Sequence, residues 1–144
     1  MKTIITSLMM FFSVAAFAQK PMVGFTPAEI KQQNYLEFST SYDSWNVDEG
    51  DGFYMLYTEV PSINGYAYYY FSSGAELNYL SSLIMYDYNL YKSIKSKTIK
   101  DCDYQSNGWY KHKSSGLYIY FQTGNGGSEK IHSILYTYDM FNMK

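Results

Sequence analysis

The chain contains no arginine, one cysteine and two histidines among its 144 residues. Nucleic-acid-binding proteins depend on dense cationic patches and on the guanidinium group, which pairs with phosphate and guanine through two hydrogen bonds. Here eleven lysines stand against thirteen acidic residues, for a net charge of −2. We therefore expect no nucleic-acid partner, and the same charge balance disfavours binding to anionic membrane surfaces.

The single cysteine, Cys102, excludes a disulfide within the chain. It lies between Asp101 and Asp103, and these carboxylates disfavour the thiolate that a nucleophile needs. The sequence therefore predicts a structural thiol, with a disulfide-linked dimer as the alternative.

Motifs for catalysis are also scarce. His112 and His132 both fall in predicted strands, and no serine lies in a Gly-x-Ser-x-Gly turn. The glycine-rich segment 124–130 precedes a predicted strand, whereas a phosphate-binding loop precedes a helix. We predict no catalytic, cofactor-binding or metal-binding residues, and a protein that is not an enzyme.

Two groups of acidic residues could serve other functions, namely calcium binding and glycoside hydrolysis. The segment 46–52 is rich in carboxylates, but its spacing does not match an EF-hand loop and Gly-Asp-Gly is common in hairpins, so we interpret it as a solvated turn. Carboxylate pairs such as Glu37 with Asp43, or Glu59 with Glu76, would serve a small glycoside hydrolase if they met across strands. That hydrolase is the least favoured of the functions considered.

The first eighteen residues have the layout of a cleavable secretory signal. Lys2 precedes an uncharged apolar run, and small residues at Ala16 and Ala18 suit a signal peptidase. The run is shorter than the roughly 20 residues of a membrane-spanning helix. We predict a signal peptide over 1–18 and a single globular domain over 19–144, exported to the periplasm or the extracellular space, with no stable membrane insertion after cleavage.

A helix start follows early in this domain. Thr26 can cap the helix, Pro27 suits its first position and Glu29 completes a capping box. The sequence predicts a helix over 27–33. The segment Val23–Ile30 resembles the Gly-x-Thr-x-x-Glu-Val opening of small periplasmic domains of outer-membrane assembly lipoproteins and β-lactamase inhibitor proteins. The likeness covers eight residues and lacks the lipid-bearing cysteine, so we assign no family from it.

The rest of the chain alternates between strand and turn patterns. Tyrosine, phenylalanine and β-branched residues concentrate in runs separated by turn dipeptides such as Asn64-Gly65 and Ser73-Gly74. A helical pattern interrupts them and predicts a helix over 89–101. The predicted strands, about seven, cover 35–45, 53–60, 66–72, 77–86, 108–113, 117–122 and 131–139. These patterns predict an α+β fold with both helices on one face of an antiparallel sheet; the alternative is a β-sandwich or partly open barrel.

Tyrosine is the residue most enriched above average, with eighteen copies. Several tyrosines alternate with aliphatic residues along predicted strands, so one face of the sheet can be aromatic while the other is core. Such rings suit a protein surface or a flat sugar. We predict a binding protein, of inhibitor, immunity or envelope-accessory type, that engages a protein partner. The candidate partner-binding residues are Tyr68, Tyr70, Tyr118, Tyr120, Tyr136 and Tyr138. One alternative is a carbohydrate-binding module, and another is that these tyrosines only fill half-buried positions of a small sheet.

Overall fold

The computed structural model describes residues 22–38 and 45–139, and for residues 35–38 it describes the backbone only. The predicted signal peptide over 1–18 lies outside these residues. Within the described ranges, no helix is long and apolar enough to cross a membrane.

The described chain forms two helices and eight strands. Helix α1 spans Pro27–Phe38 and helix α2 spans Tyr88–Thr98. Short 3-10 turns at Pro61–Ile63 and Ile99–Asp101 connect β2 to β3 and α2 to β5. The strands are β1 Asn46–Gly50, β2 Phe53–Val60, β3 Gly65–Ser72, β4 Leu80–Met85, β5 Cys102–Tyr104, β6 Trp109–His112, β7 Tyr118–Gly126 and β8 Glu129–Thr137.

All eight strands join one open antiparallel sheet in the order β1-β2-β3-β4-β8-β7-β6-β5. Each half of the described chain contributes a helix followed by four strands. The strand order of the second half is reversed in the sheet, so the last strands of the two halves, β4 and β8, pair at its centre. Residues far apart in sequence therefore share one continuous sheet surface.

The helices and one face of the sheet enclose a single hydrophobic core. Ile30 of α1 and Ile94 of α2 belong to the same buried cluster as Leu56, Leu83 and Ile134 from the sheet. Because side chains alternate between faces along a strand, this cluster defines the core face. Among the described residues, no helix or strand packs on the opposite face, which we call the outer face.

The predicted capping box at the start of α1 is present. The Thr26 amide donates to the Glu29 carboxylate at 2.8 Å, and the Glu29 amide donates to the Thr26 hydroxyl at 3.3 Å. Further along α1, the buried Asn34 side chain donates to the Ile30 carbonyl at 2.9 Å and to the Tyr69 hydroxyl at 3.0 Å. These bonds fix one turn of the helix to strand β3.

The structure confirms the α+β class and an open antiparallel sheet, but several predicted boundaries are wrong. The predicted strand over 35–45 is helical as far as Phe38, because α1 continues beyond residue 33; residues 39–44 lie outside the described residues. The predicted acidic turn over 46–52 is mostly edge strand β1, and only Asp51 and Gly52 form the turn.

The second half also differs from prediction. Strand β5 was not expected, because its three residues directly follow the 3-10 turn at Ile99–Asp101 and are too few to show a periodic pattern. The glycine-rich segment 124–130 contains a turn of only two residues, Gly127 and Ser128, because β7 extends to Gly126 and β8 begins at Glu129. Gly127 has a φ of +76°, which suits glycine in such a turn.

Candidate functional site

The outer face carries most of the half-buried tyrosines of the sheet. Strand register places one row of side chains across this face, with one residue from each strand between β2 and β7. In the order of the sheet the row contains Tyr57, Tyr68, Ser82, Leu135 and Tyr120. The row ends at Trp109, which pairs with Tyr120. Rings therefore stand on both sides of the sheet centre, while small and aliphatic side chains occupy the middle.

One aromatic group lies on β2 and β3, and we call it the tyrosine ladder: Tyr57, Tyr66, Tyr68 and Tyr70. The Tyr57 and Tyr68 rings stack across the strands, with centroids 5.3 Å apart and planes 16° apart. Tyr68 and Tyr70 stack along β3 at 6.5 Å and 20°. Tyr66 lies against Tyr68 at 6.2 Å. Each of these rings is half-buried, and the group is held together by ring contacts as well as by the sheet.

The second aromatic group, which we call the tryptophan group, lies on β6 and β7 and consists of Trp109, Tyr118 and Tyr120. The Trp109 and Tyr120 rings are 5.1 Å apart. The Lys111 ammonium lies 5.3 Å from the centroid of the Tyr118 ring, within the range of a cation–π contact. Strands β3 and β7 are separated by three inter-strand spacings, so the two groups stand about 14 Å apart on a flat approximation.

The outer face is apolar near its centre and charged towards its edges. Leu80, Ile84 and Leu135 lie between the two aromatic groups, together with the buried hydroxyls of Ser82 and Thr137. Exposed charges on this face include Asp48, Glu59, Asp103 and Lys111, which lie on outer strands. A desolvated centre within a polar rim is the usual arrangement of a protein–protein interface.

Two hydroxyls of the ladder, those of Tyr68 and Tyr70, remain protonated at neutral pH. Burial raises the pKa of Tyr68 above its ordinary value, and the neighbouring Tyr70 and Tyr66 hydroxyls raise it further. Burial, followed by the neighbouring Tyr79 hydroxyl, raises the pKa of Tyr70 in the same way. A neutral phenol both donates and accepts a hydrogen bond, so each hydroxyl can pair with either kind of polar group.

Four of the six predicted partner-binding tyrosines share the outer face, namely Tyr68, Tyr70, Tyr118 and Tyr120. Tyr136 does not: it points into the core, is 1% exposed, and so cannot contact a partner. The prediction that it is partly exposed is wrong. Tyr138 lies just after the end of β8 and is 53% exposed, outside the paired part of the sheet. The assignment of these residues to partner binding stays a prediction.

Residues that the sequence analysis left out also belong to this surface. Tyr57 shares one face of β2 with Met55 and Glu59 and alternates with the buried Leu56 and Thr58, so the same period-two pattern that selected Tyr68 would have selected it. Trp109 lies in a strand of only four residues, too short for the pattern to assign a face. Its position on the outer face follows only from its pairing with Tyr120.

One of the two carboxylate pairs considered for a hydrolase, Glu59 with Glu76, does not assemble. Glu59 pairs with Tyr66 at the start of β3, whereas Glu76 lies beyond Ser72 at the other end. That length of strand separates them by about 20 Å. The Glu37 side chain and Asp43 lie outside the described part of the structure, so the second pair stays untested. No group of three or more potential metal ligands occurs among the described side chains.

Cys102 is buried, and its thiol donates to the Thr98 carbonyl at 3.2 Å. Burial raises the pKa of this thiol, and the carboxylates of Asp101 and Asp103 raise it further. Both effects disfavour the thiolate, in agreement with a structural role.

Comparison with known proteins adds no assignment: no protein-family model, no curated protein sequence and no solved structure matches this chain.

Proposed function

We propose that this chain is an exported, non-enzymatic binding protein whose outer face engages a protein partner. The observation that carries the proposal is a sheet face with two groups of half-buried rings and no described element packed over it. Tyrosine and tryptophan contribute large contact area at low cost in side-chain entropy, and they are enriched at the centres of protein interfaces.

The orientation of the rings favours a protein over a sugar. A sugar stacks on the flat side of an aromatic ring, so a sugar site needs ring faces that are open to the ligand. In the ladder, the flat sides of Tyr57, Tyr68 and Tyr70 are turned towards one another. Rings that stack on one another leave less of their flat sides to a sugar, and their hydroxyls suit the mixed apolar and hydrogen-bonding surface of a folded protein.

Export remains part of the proposal through the signal-like residues 1–18. The experiment that tests it is an intact-mass measurement of protein recovered outside the cytoplasm, and we expect a chain that begins at Gln19. Recovery of a chain that still begins at Met1, in the membrane fraction, would contradict export.

Site-specific photo-crosslinking tests the proposed interface. A benzophenone amino acid of similar shape replaces Tyr68 in one variant, Tyr120 in a second and Tyr104 in a third, and each is expressed in the source cells. Tyr104 is the matched control because it is 62% exposed and lies on the other side of the sheet, at its edge.

We expect the Tyr68 and Tyr120 variants to crosslink the same protein and the Tyr104 variant not to. Equal crosslinking from all three positions would show nonspecific adhesion. Retention on a glycan array that is lost on mutation of Tyr120, without a protein adduct, would replace the protein partner by a carbohydrate.

A further inference from the structure

A cleft of about 880 Å³ lies at one end of the central strands, and one of its lining residues, Tyr86, lies near Tyr68 of the ladder. The cleft exists because the β7–β8 hairpin extends further than strand β4, which lies beside it. Strand β4 ends at Met85, opposite His132, whereas the hairpin continues for several residues to its turn. The overhanging hairpin forms one wall, and the corner between β4 and α2 forms the other. The residues that line the cleft are Asn64, Tyr86, Tyr88, Thr123, Glu129, Lys130 and His132.

A fixed imidazole lies at the base of this cleft. His132 is 4% exposed, and its Nδ1 lies 2.9 Å from the Thr123 hydroxyl. One side of its ring stacks on Tyr91 at a centroid distance of 4.9 Å, and Tyr88 contacts it at 5.1 Å. Since Thr123 occupies Nδ1, Nε2 is the ring nitrogen left to meet a ligand.

The walls combine open rings with neutral and charged polar groups. Tyr88 is 55% exposed even though its ring contacts His132, and Tyr86 is also exposed. Asn64 contributes a carboxamide from the turn before β3. Glu129 and Lys130 are adjacent and exposed on the hairpin, and their formal charges cancel.

We propose that this cleft binds a neutral saccharide. A sugar ring lies against the exposed ring of Tyr88, and its hydroxyls bond to His132 Nε2, to the Asn64 carboxamide and to the charged pair at the hairpin. The volume falls within the range of about 300–1,000 Å³ that small-ligand sites occupy. The balanced charge gives no preference for an anion or a cation, while several donors and acceptors around one open aromatic ring match a polyhydroxylated ring.

The proposal is independent of the protein partner proposed for the outer face. The test is titration of ¹⁵N-labelled protein, residues 19–144, with maltose, cellobiose, lactose and di-N-acetylchitobiose, followed by NMR. We expect at least one of these sugars to shift the resonances of Tyr88, Thr123 and His132 in a saturable way. Tyr88→Ala should weaken that binding at least about tenfold, equivalent to about 1.4 kcal/mol.

Tyr104→Ala is the control, because Tyr104 is exposed to a similar degree and does not line the cleft. It should leave the affinity unchanged. Tyr88 is largely exposed, so its variant should fold, and its NMR spectrum verifies this directly. The proposal is wrong if no sugar shifts the cleft resonances, if Tyr88→Ala binds as tightly as wild type, or if glucuronate or glucosamine binds more tightly than the neutral sugars.

Discussion

Tyr68 and Tyr69 are neighbours in β3 and point to opposite faces of the sheet. Tyr69 is 1% exposed, lies under α1 and bonds to Asn34. Tyr68 is half-buried and its neighbours on the outer face are other tyrosines. The same residue type therefore closes the core on one side and forms an open surface on the other, and the difference between the two faces is whether a helix covers them.

The largest expected difference in stability is between the two variants that each remove one ring of this pair. Tyr69→Ala should lower the free energy of unfolding by about 3–5 kcal/mol, because it opens a cavity and removes the hydrogen bond between Asn34 and the Tyr69 hydroxyl. Tyr68→Ala should cost about 1 kcal/mol, since the ring is only half-buried. Urea unfolding of both variants measures the contrast. Equal losses would mean that the outer face is also a packed core.

A smaller effect is expected at Cys102, which contributes to the core face near Tyr136. Cys102→Ser should cost roughly 1–3 kcal/mol, because a buried hydroxyl is costlier to desolvate than a thiol, although it can keep the bond to Thr98. Partner binding should be unchanged. A folded variant that loses binding would show that the thiol has a functional role.

Helix α1, which covers part of the core face, can be destabilised without changing a residue of the sheet. Thr26→Ala removes the capping hydroxyl of α1 and should cost about 0.5–2 kcal/mol. The measurement is the unfolding midpoint, with Ser62→Ala, at an exposed site, as control. An unchanged midpoint would show that the capping box contributes nothing to folding.

The smallest effect at neutral pH is expected at Tyr136, whose buried hydroxyl has no hydrogen-bond partner within the described residues. Tyr136→Phe should leave stability unchanged or raise it by about 1 kcal/mol, whereas Tyr120→Phe should have no effect.

Alkaline pH should enlarge the difference in stability between the Tyr136→Phe and Tyr120→Phe variants. Burial raises the pKa of Tyr136 well above its ordinary value of 10.0. Above pH 10 the unfolded chain therefore loses this proton before the folded chain does, so wild-type stability falls as pH rises. Tyr136→Phe should fall less steeply in unfolding experiments between pH 9 and 11. Parallel curves would contradict the buried assignment.

Sequence periodicity predicted which residues share a face more reliably than which face is covered. In β7 the aliphatic residues Leu117 and Ile119 marked the core side, and Tyr118 and Tyr120 were correctly placed opposite them. In β8 both alternating sets mix apolar and polar residues, with Ile131 and Leu135 in one set and Ile134 and Tyr136 in the other, so the pattern could not decide between them. Tyr136 was therefore assigned to the wrong side.

Other features depended on pairings that are distant in sequence. Strand β1 pairs with β2 at the edge of the sheet. Its acidic composition led to its interpretation as a solvated turn. The position of Trp109 depends on the register of β6 against β7. The cleft arises because β7 and β8 extend past the end of β4, which no local pattern encodes.

The most direct test of the account compares affinity and stability in the same variants. The partner identified by crosslinking is titrated against wild type, Tyr68→Ala, Tyr120→Ala and the control Tyr104→Ala, and each variant is also unfolded in urea. We predict that Tyr68→Ala and Tyr120→Ala each lose at least about tenfold in affinity and stay folded under the binding conditions. The control Tyr104→Ala should keep its affinity. Affinities that fall only in proportion to the unfolded fraction, or equally in the control, would contradict a binding role for the outer face.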